Sequence, residues 1–228
     1  MILRKWEDLP ERMKNDAVRP YYEILSKKKK SLLLKRAFDV TVSSAMLVLL
    51  APVMIGLAIA VRLDSPGPAV FKQTRVTQYG KKFTIYKFRT MVNHAEKLGT
   101  AVTADQDDRI THLGKIMRHY RLDELPQLVN IFLGDMSFVG TRPEVVRYVR
   151  TYTDEMTATL LLPAGVTSEA SIKYKDEEKL LDSAQDVDHT YIHVVLPQKM
   201  AYNLEGIRKF SPISDLKIMI ETVLAVFR

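Results

Sequence analysis

The feature that most constrains this chain is a run of 22 residues without a charged side chain, between Asp39 and Arg62. As one straight helix it would extend roughly 33 Å, about the thickness of the hydrocarbon core of a bilayer. A buried helix of a soluble domain is usually shorter. The run begins too deep in the chain for a cleaved signal peptide, and no small-residue cleavage pattern follows it. We therefore expect a membrane element here.

A proline near the middle of this run argues against a simple transmembrane span. Pro52 removes one helix hydrogen bond, and its ring clashes with the preceding turn. Both flanks are basic, with Lys27 to Lys30, Lys35 and Arg36 before the run and Arg62, Lys72, Arg75, Lys81 and Lys82 after it. Because basic flanks favour the cytoplasmic face, residues 35–62 are predicted to form a re-entrant helix broken at Pro52. A kinked single-pass helix is the alternative, and Ser43 and Ser44 are candidates to satisfy backbone groups that the proline frees.

The positive charge of the chain is concentrated in its first part. The formal net charge is +7, and residues 1–61 carry 11 Lys and Arg against 6 Asp and Glu. Residues 1–34 are predicted to be a basic N-terminal extension, whose lysine run either holds the chain to anionic lipid or forms a flexible arm. No Arg-rich recognition helix and no basic strands with stacking aromatics are present, so we expect no nucleic-acid partner. The absence of cysteine excludes disulfides and thiolate metal sites.

Residues 63–228 predict an α+β domain that is mainly helical, with little sheet. Two alternating runs, residues 69–76 and 82–88, predict a small β-hairpin. Gly134 is expected to end one helix, and Pro143 to begin the next. The last helix is amphipathic, so it either packs on the core or lies in the membrane interface. The predicted helices cover residues 91–98, 110–121 and 123–133, a segment after Arg142, and the chain from Asp215 onward, with a loop at 99–109.

Asp123 and Glu124 are the first candidates for chemistry. Asp123 is expected at the start of the 123–133 helix, with Pro126 in the first turn, so its carboxylate would lie among unpaired backbone N–H groups. Such a helix start binds anions and could hold a phosphate next to the acid. The alternative is an ordinary N-cap aspartate.

Cationic side chains supply candidate phosphate ligands. Arg142, expected at the start of the next helix, suits bidentate phosphate binding, although it could instead pair with Asp135 or Glu144. The hairpin adds three cations that either complete a cationic pocket or occupy exposed strand positions: Arg75, Lys87 and Arg89. The sequence lacks a Walker A loop, a Rossmann glycine fingerprint and an HExxH pair, so a nucleotide would have to be bound in another way.

Together these motifs resemble the bacterial sugar transferases known as small monotopic phosphoglycosyl transferases. The resemblance extends over residues 35–228 without large gaps, and its most specific block lies at residues 121–144. The sequences that carry it are KRAFD (35–39), the apolar run with Pro52, FKQTR (71–75), YKFRTM (86–91), RLDELPQLVNIFLGDMSFVGTRPE (121–144) and DLKIM (215–219).

The resemblance implies a reaction, a cofactor and a location. Asp123 would attack the sugar-bearing phosphate of a UDP-sugar, release UMP and form a phosphosugar-aspartyl intermediate, which polyprenyl (undecaprenyl) phosphate would then take up. Glu124 would bind Mg²⁺ and Arg142 would bind substrate phosphate; the hairpin cations Arg75, Lys87 and Arg89 stay candidate phosphate ligands from the residues alone. Residues 63–228 would form a transferase domain on the cytoplasmic face of the bacterial inner membrane, bound to its lipid through the re-entrant helix. The competing interpretations are a non-catalytic scaffold for glycan-assembly enzymes and a peripheral lipid- or nucleic-acid-binding protein.

The sequence departs from the family pattern at several positions. Thr141 replaces the usual proline before Arg142, and Ala51 replaces the frequent serine before Pro52. Ala164 is inserted in a segment, residues 162–176, that lacks the usual Asn-Gly-Arg. The additional N-terminal membrane helices of larger members are not expected before Lys35. The sequence leaves open which sugar is transferred and whether the chain forms a homodimer.

Overall fold

The computed structural model describes residues 3–93, 95, 107–174 and 186–226. The described chain is mainly helical, with two small two-stranded sheets. Its helices are α1 (Arg19–Ser26), α2 (Lys29–Leu49), α3 (Ala51–Asp64), α4 (His112–His119), α5 (Gln127–Leu133), α6 (Val146–Val149), α7 (Glu169–Lys173), α8 (Val187–Thr190), α9 (Leu196–Arg208) and α10 (Pro212–Val226). Its strands are β1 (Val70–Val76), β2 (Lys82–Phe88), β3 (Met136–Val139) and β4 (Ala164–Thr167).

The apolar run forms the end of α2 and nearly all of α3, two helices that meet at Leu50 with a bend of 63°. Pro52 lies in the first turn of α3, where its missing N–H costs little because first-turn N–H groups have no helical acceptor. Among the described helices none is by itself long and apolar enough to cross a membrane, whereas the bent pair together has the required length and composition. Many apolar side chains of the pair are exposed, including Val48, Leu49 and Ile55. A bent helix pair over the apolar run agrees with the sequence, whereas the break at Pro52 and re-entry into a membrane stay predictions.

The predicted hairpin is confirmed. Strands β1 and β2 pair antiparallel, with Phe71 opposite Lys87 and Arg75 opposite Phe83. The turn between them uses Tyr79 and Gly80 with φ of 58° and 73°, a left-handed conformation that glycine adopts without strain. The basic side chains of this hairpin therefore leave β-strands at fixed positions.

A second sheet, which the sequence did not predict, joins β3 to β4 in parallel. Each strand has four residues, and the partners are separated by a long connection, as parallel pairing requires. Gly140 and Gly165 pack backbone against backbone beside this sheet, and a Cβ on Gly165 would lie 2.1 Å from the amide nitrogen of Gly140. The sheet matters because β3 leads directly into the loop that carries Arg142.

Two predicted helix starts are wrong. The 123–133 helix is divided into a single 3₁₀ turn, Leu122–Glu124, and α5, which begins only at Gln127. Asp123 therefore lies in the 3₁₀ turn and does not cap an α-helix, although Gly134 ends α5 as expected, with φ of 91°. Pro143 does not begin a helix either, and the next helix starts at Val146. The backbone carbonyls of Thr141 and Glu144 instead accept hydrogen bonds from strands β4 and β1.

The other helices agree with the sequence to different degrees. The 110–121 prediction corresponds to α4, whose first turn is capped by the side chain of Thr111. The last helix begins at Pro212, slightly before the predicted Asp215. Met91 forms a β-bridge to Ile110 where a helix over 91–98 was expected. Residues 94 and 96–98 of that segment, residues 99–106 of the predicted loop, and residues 175–176 at the end of the 162–176 segment lie outside the described residues.

The N-terminal segment is packed into the fold. Leu9, Met13, Val18 and Leu25 are buried in one apolar cluster with side chains from later in the chain, among them Leu161, Leu204 and Phe210. The lysine run 27–30 lies where α1 gives way to α2. The predicted 1–34 extension is therefore not a separate arm over its described residues, while its attraction to anionic lipid stays a prediction.

Candidate active site

Three segments converge on one buried acidic pair. They are strand β2, the loop after β3, and the 3₁₀ turn Leu122–Glu124, which we call the acidic turn. Arg121 precedes this turn in the left-handed conformation, with φ of 57°. Asp123 and Glu124 are only 7% and 8% exposed, which is unusual for carboxylates and requires compensating partners.

Glu124 has such partners on one carboxylate oxygen. Its Oε1 accepts hydrogen bonds from Lys87 Nζ at 3.0 Å and from Arg142 Nη2 at 2.9 Å, and Arg121 Nη1 lies 3.9 Å away. Burial by itself would raise the pKa of Glu124, but the charges of Lys87, Arg142 and Arg121 outweigh it and hold the pKa below its ordinary value. Glu124 is therefore ionised at neutral pH and binds the cations together.

Asp123 is held much more weakly. Lys87 Nζ lies 4.0 Å from its Oδ2, and the carboxylate has no hydrogen bond to any residue that the structure describes. Burial raises the pKa of Asp123 above its ordinary value; the attraction of Lys87 opposes this effect and the negative charge of Glu124 adds to it. A poorly stabilised carboxylate next to cations that can receive phosphate oxygens is suited to attack a phosphoryl group.

The structure brings together four of the six predicted catalytic and phosphate-binding residues: Asp123, Glu124, Lys87 and Arg142. Arg75 lies on the other side of the Arg142 loop, where its Nη1 donates to the carbonyl of Pro143 at 3.1 Å. Arg89 directly follows β2, and its guanidinium packs against the end of α3, where it donates to the carbonyl oxygens of Val61 and Ser65. Neither arginine contacts the acidic turn through these bonds. Lys87 does contact it, and its position on the hairpin gave no sign that it would differ from Arg75 and Arg89.

Arg121 is a charged neighbour of Glu124 that the sequence analysis missed. Its position immediately before the Leu-Asp-Glu turn was visible in the sequence, but its left-handed backbone was not. Because the guanidinium is about half exposed, its contribution to Glu124 is screened by solvent.

The carboxylates fit the manner in which proteins bind magnesium. Mg²⁺ is usually bound by one or two carboxylates together with substrate phosphates and water. Within the described ranges no cluster of three or more His, Asp or Glu side chains could hold a metal alone. Glu124 binds its cations through Oε1, which leaves Oε2 as a possible metal ligand. Together with the adjacent Asp123, it is suited to a metal that arrives with a phosphate-bearing substrate.

Buried charges also connect the bent helix pair to the Arg142 loop. On α2, Lys35 Nζ donates to the carbonyl of Val139 at 2.8 Å and to Asp215 at 2.6 Å. Asp39 Oδ1 accepts from Ser137 Oγ and from the backbone N–H of Phe138. These bonds fix strand β3 to α2, the helix in which the apolar run begins. Strand β3 ends at Val139, three residues before Arg142. Pro52 itself lies in the first turn of α3, beside the bend.

Comparison with known proteins places these residues in a family context. The family model described as bacterial sugar transferase matches residues 30–228. The chain is 36% identical over 200 residues to the UDP-glucose:undecaprenyl-phosphate glucose-1-phosphate transferase of Escherichia coli strain K12. The matched region covers 86% of this chain and 40% of that protein.

Two further relatives show the same relationship. The UDP-N-acetylgalactosamine-undecaprenyl-phosphate N-acetylgalactosaminephosphotransferase of Aeromonas hydrophila is 33% identical over 83% of this chain and 43% of its own. A glucose-1-phosphate transferase of Caulobacter vibrioides is 36% identical over 83% of this chain and 68% of its own. The chain thus spans less than half the length of the first two relatives and about two thirds of the third.

Proposed function

Because the chain belongs to the bacterial sugar transferase family, we propose that it transfers a sugar phosphate from a UDP-sugar to undecaprenyl phosphate. The names of the relatives describe this reaction for glucose and for N-acetylgalactosamine. The observation that carries the proposal is the acidic turn, in which Asp123 has no hydrogen bond from the described residues while Glu124 holds Lys87 and Arg142 beside it.

In the first step an Oδ atom of Asp123 attacks the phosphorus that bears the sugar. An oxygen–phosphorus bond forms to Asp123, the bond between that phosphorus and the bridging oxygen breaks, and UMP leaves with the bond's electron pair. Lys87 and Arg142 bind phosphate oxygens and offset the negative charge on them, which a preorganised cation does more effectively in a buried site. The attack requires ionised Asp123.

In the second step an oxygen of undecaprenyl phosphate attacks the same phosphorus. The bond to Asp123 breaks, the carboxylate is restored, and the product is an undecaprenyl diphosphate sugar. Division of the transfer into two displacements is the usual gain of covalent catalysis. Glu124 and the substrate phosphates would hold Mg²⁺, which when bound supplies further positive charge against the phosphoryl oxygens.

The acceptor's long hydrocarbon chain requires an enzyme at the bilayer, and we assign this role to the bent helix pair and α10. The exposed apolar residues of α10, Ile213, Leu216, Ile220 and Val223, support its placement in the interface of the inner membrane. Residues 35–62 would enter and leave by the cytoplasmic face. Conversion of exposed Lys30 or Pro66 to cysteine, in a chain without other cysteines, tests this topology. An impermeant reagent should label both from the same side, and labelling from opposite sides would establish a kinked single pass.

The reaction is tested by UMP release from a panel of UDP-sugars in the presence of undecaprenyl phosphate and Mg²⁺. The panel includes UDP-glucose and UDP-N-acetylgalactosamine, and the donor that reacts identifies the sugar. We expect release by the wild-type protein and none by Asp123→Asn. A folded wild-type preparation that releases no UMP from any donor would favour the scaffold interpretation.

A further inference from the structure

A second buried acid lies two residues after Arg142. The carboxylate of Glu144 accepts a hydrogen bond from the hydroxyl of Tyr191 at 2.6 Å. Lys199 Nζ lies 4.0 Å from the same oxygen and donates to the Tyr191 hydroxyl at 3.3 Å. Glu144, Tyr191 and Lys199 are each at most 5% exposed, and we call these three residues the Glu144 network. The network takes no direct part in the chemistry proposed above. Burial of charged side chains is costly, so a different role for these three residues is expected.

A rare backbone feature brings two of these residues together. Tyr191–Val195 forms a π-helical turn between α8 and α9. In a regular α-helix, residues eight apart differ by about 80° around the axis and do not face the same side. A wider π turn absorbs about one residue, so Tyr191 and Lys199 lie on one face, with the ammonium 5.2 Å from the ring centroid. The π turn therefore directs both side chains at Glu144.

The loop to which Glu144 belongs is fixed on both sides of Arg142. Before Arg142, the carbonyl of Thr141 accepts from the N–H of Gly165 at 2.9 Å. After it, the carbonyl of Pro143 accepts from Arg75, and that of Glu144 accepts from the N–H of Val76 at 3.0 Å. The side chain of Glu144 is the remaining point of attachment, and Tyr191 and Lys199 hold it. Arg142 thus leaves a fixed loop toward Glu124.

We propose that the Glu144 network is a positioning device that holds the Arg142 guanidinium where it meets Glu124 and the donor phosphate. The inference rests on the proposed function for the identity of that phosphate. Tyr191 and Lys199 belong to none of the sequence motifs above, and their effect on the donor would pass through the Arg142 loop. A displacement of about 1 Å in a substrate-binding group can lower a rate about 100-fold, so a modest loosening of this loop should be measurable.

A double-mutant cycle between Tyr191 and Arg142 tests the proposal. UMP release and UMP affinity are measured for wild type, Tyr191→Phe, Arg142→Ala and the double variant. Loss of one hydrogen bond is expected to lower kcat/KM and UMP affinity by about tenfold in Tyr191→Phe. In the Arg142→Ala background the same change should have no further effect, because the group that Tyr191 positions is absent.

A structural role would give a different result. If Tyr191→Phe lowers UMP affinity equally with and without Arg142, the positioning role is wrong. UMP affinity by calorimetry needs no turnover, so the comparison remains measurable if Arg142→Ala is inactive. Lys199→Met provides a second entry to the network and should show the same dependence on Arg142 if Tyr191→Phe does not fold.

Tyr148→Phe is a matched control. Its ring packs on Tyr191 at 4.7 Å between centroids, but its hydroxyl donates to Asp188, outside the network. Removal of this hydroxyl should leave UMP affinity within about twofold of wild type, since it does not hold the loop; an equal loss in both variants would overturn the proposal. Absence of UMP release by wild type would instead refute the proposed function, so the two failures are distinguishable.

Discussion

The acidic turn and the Glu144 network are two buried acidic regions on either side of Arg142, and they are stabilised in opposite ways. In the network, Glu144 accepts a short hydrogen bond from Tyr191 and lies 4.0 Å from both Lys199 and Arg75. In the acidic turn, Glu124 holds the nearby cations, while Asp123 is left 4.0 Å from Lys87 without a hydrogen bond to the described residues.

The difference indicates where reactivity resides. A buried carboxylate that a short hydrogen bond holds in place is fixed and less reactive, and it suits a structural or positioning task. A buried carboxylate that lacks such bonds raises the energy of its charged form, which is useful only if a substrate completes its environment. Burial and charge alone would rank the two regions equally, whereas hydrogen bonding separates them.

The largest expected effect is that of Asp123→Asn. Loss of the attacking oxygen should lower kcat by at least about 10³-fold, since removal of a covalent nucleophile leaves only the catalysis that the remaining groups provide. The measurement is UMP release with the reactive donor. Asp135→Asn, which removes a carboxylate paired with the exposed Lys81, is the control and should keep near wild-type activity. Substantial turnover by Asp123→Asn would exclude Asp123 as the nucleophile.

The cations of the acidic turn should have the next largest effect. Arg142→Ala and Lys87→Ala are each expected to lower kcat/KM about 10²- to 10³-fold, as is typical when one preorganised charge is removed from a phosphoryl or oxyanion site. Lys82→Ala, an exposed position on the same hairpin, is the matched control. If Arg89→Met lowered UMP affinity as strongly as Lys87→Ala, the separation of the hairpin cations into two groups would be wrong.

Asp123 should also set the acid limb of the pH profile. Because burial raises the pKa of Asp123, kcat/KM should fall on acidification with a midpoint above the ordinary value of about 3.9. Lys87 lowers that pKa, so Lys87→Met should move the midpoint upward while also slowing the reaction. The profile is measured by UMP release in buffers of constant ionic strength. A midpoint that does not move in Lys87→Met would assign the limb to another group.

The sequence predicted those parts of the fold that local patterns determine. The alternating runs gave the hairpin, and the apolar run gave the bent helix pair. Gly134 ended α5 because a left-handed residue there satisfies two helix carbonyls. The convergence of Asp123, Glu124 and Arg142 was accessible only because a family resemblance joined residues that local patterns treat separately.

Long-range contacts determine the parts of the fold that the sequence did not predict. Pro143 is well suited to begin a helix, but bonds from Arg75 and Val76 hold it in a loop against the hairpin. The parallel pairing of β3 with β4 joins segments of four residues that have no pattern of their own. The Glu144 network depends on the π-helical turn that begins at Tyr191. The sequence has no periodic pattern that predicts this turn.

The smallest expected effect is on stability, and it should have opposite signs for the two neighbouring acids of the turn. The folded-state pKa of Asp123 is raised, so its ionised form is disfavoured by folding, and this cost is present above the folded pKa. The folded-state pKa of Glu124 is lowered, so its ionised form favours folding above the unfolded pKa of about 4.3, and the benefit is lost as the pH falls through the folded value. At pH 7, Asp123→Asn should therefore raise Tm by a few degrees, whereas Glu124→Gln should lower it.

Acidification should reduce this contrast. As the pH falls toward the unfolded-state aspartate pKa of about 3.9, the cost of ionised Asp123 shrinks and its difference from asparagine should become small, while the benefit of Glu124 only begins to decline. Calorimetric melting of the two variants at pH 7 and pH 4 tests both signs in one series. If Asp123→Asn lowered Tm at pH 7, the carboxylate would be a stabilising group like Glu144, and the contrast between the two acidic regions would not hold.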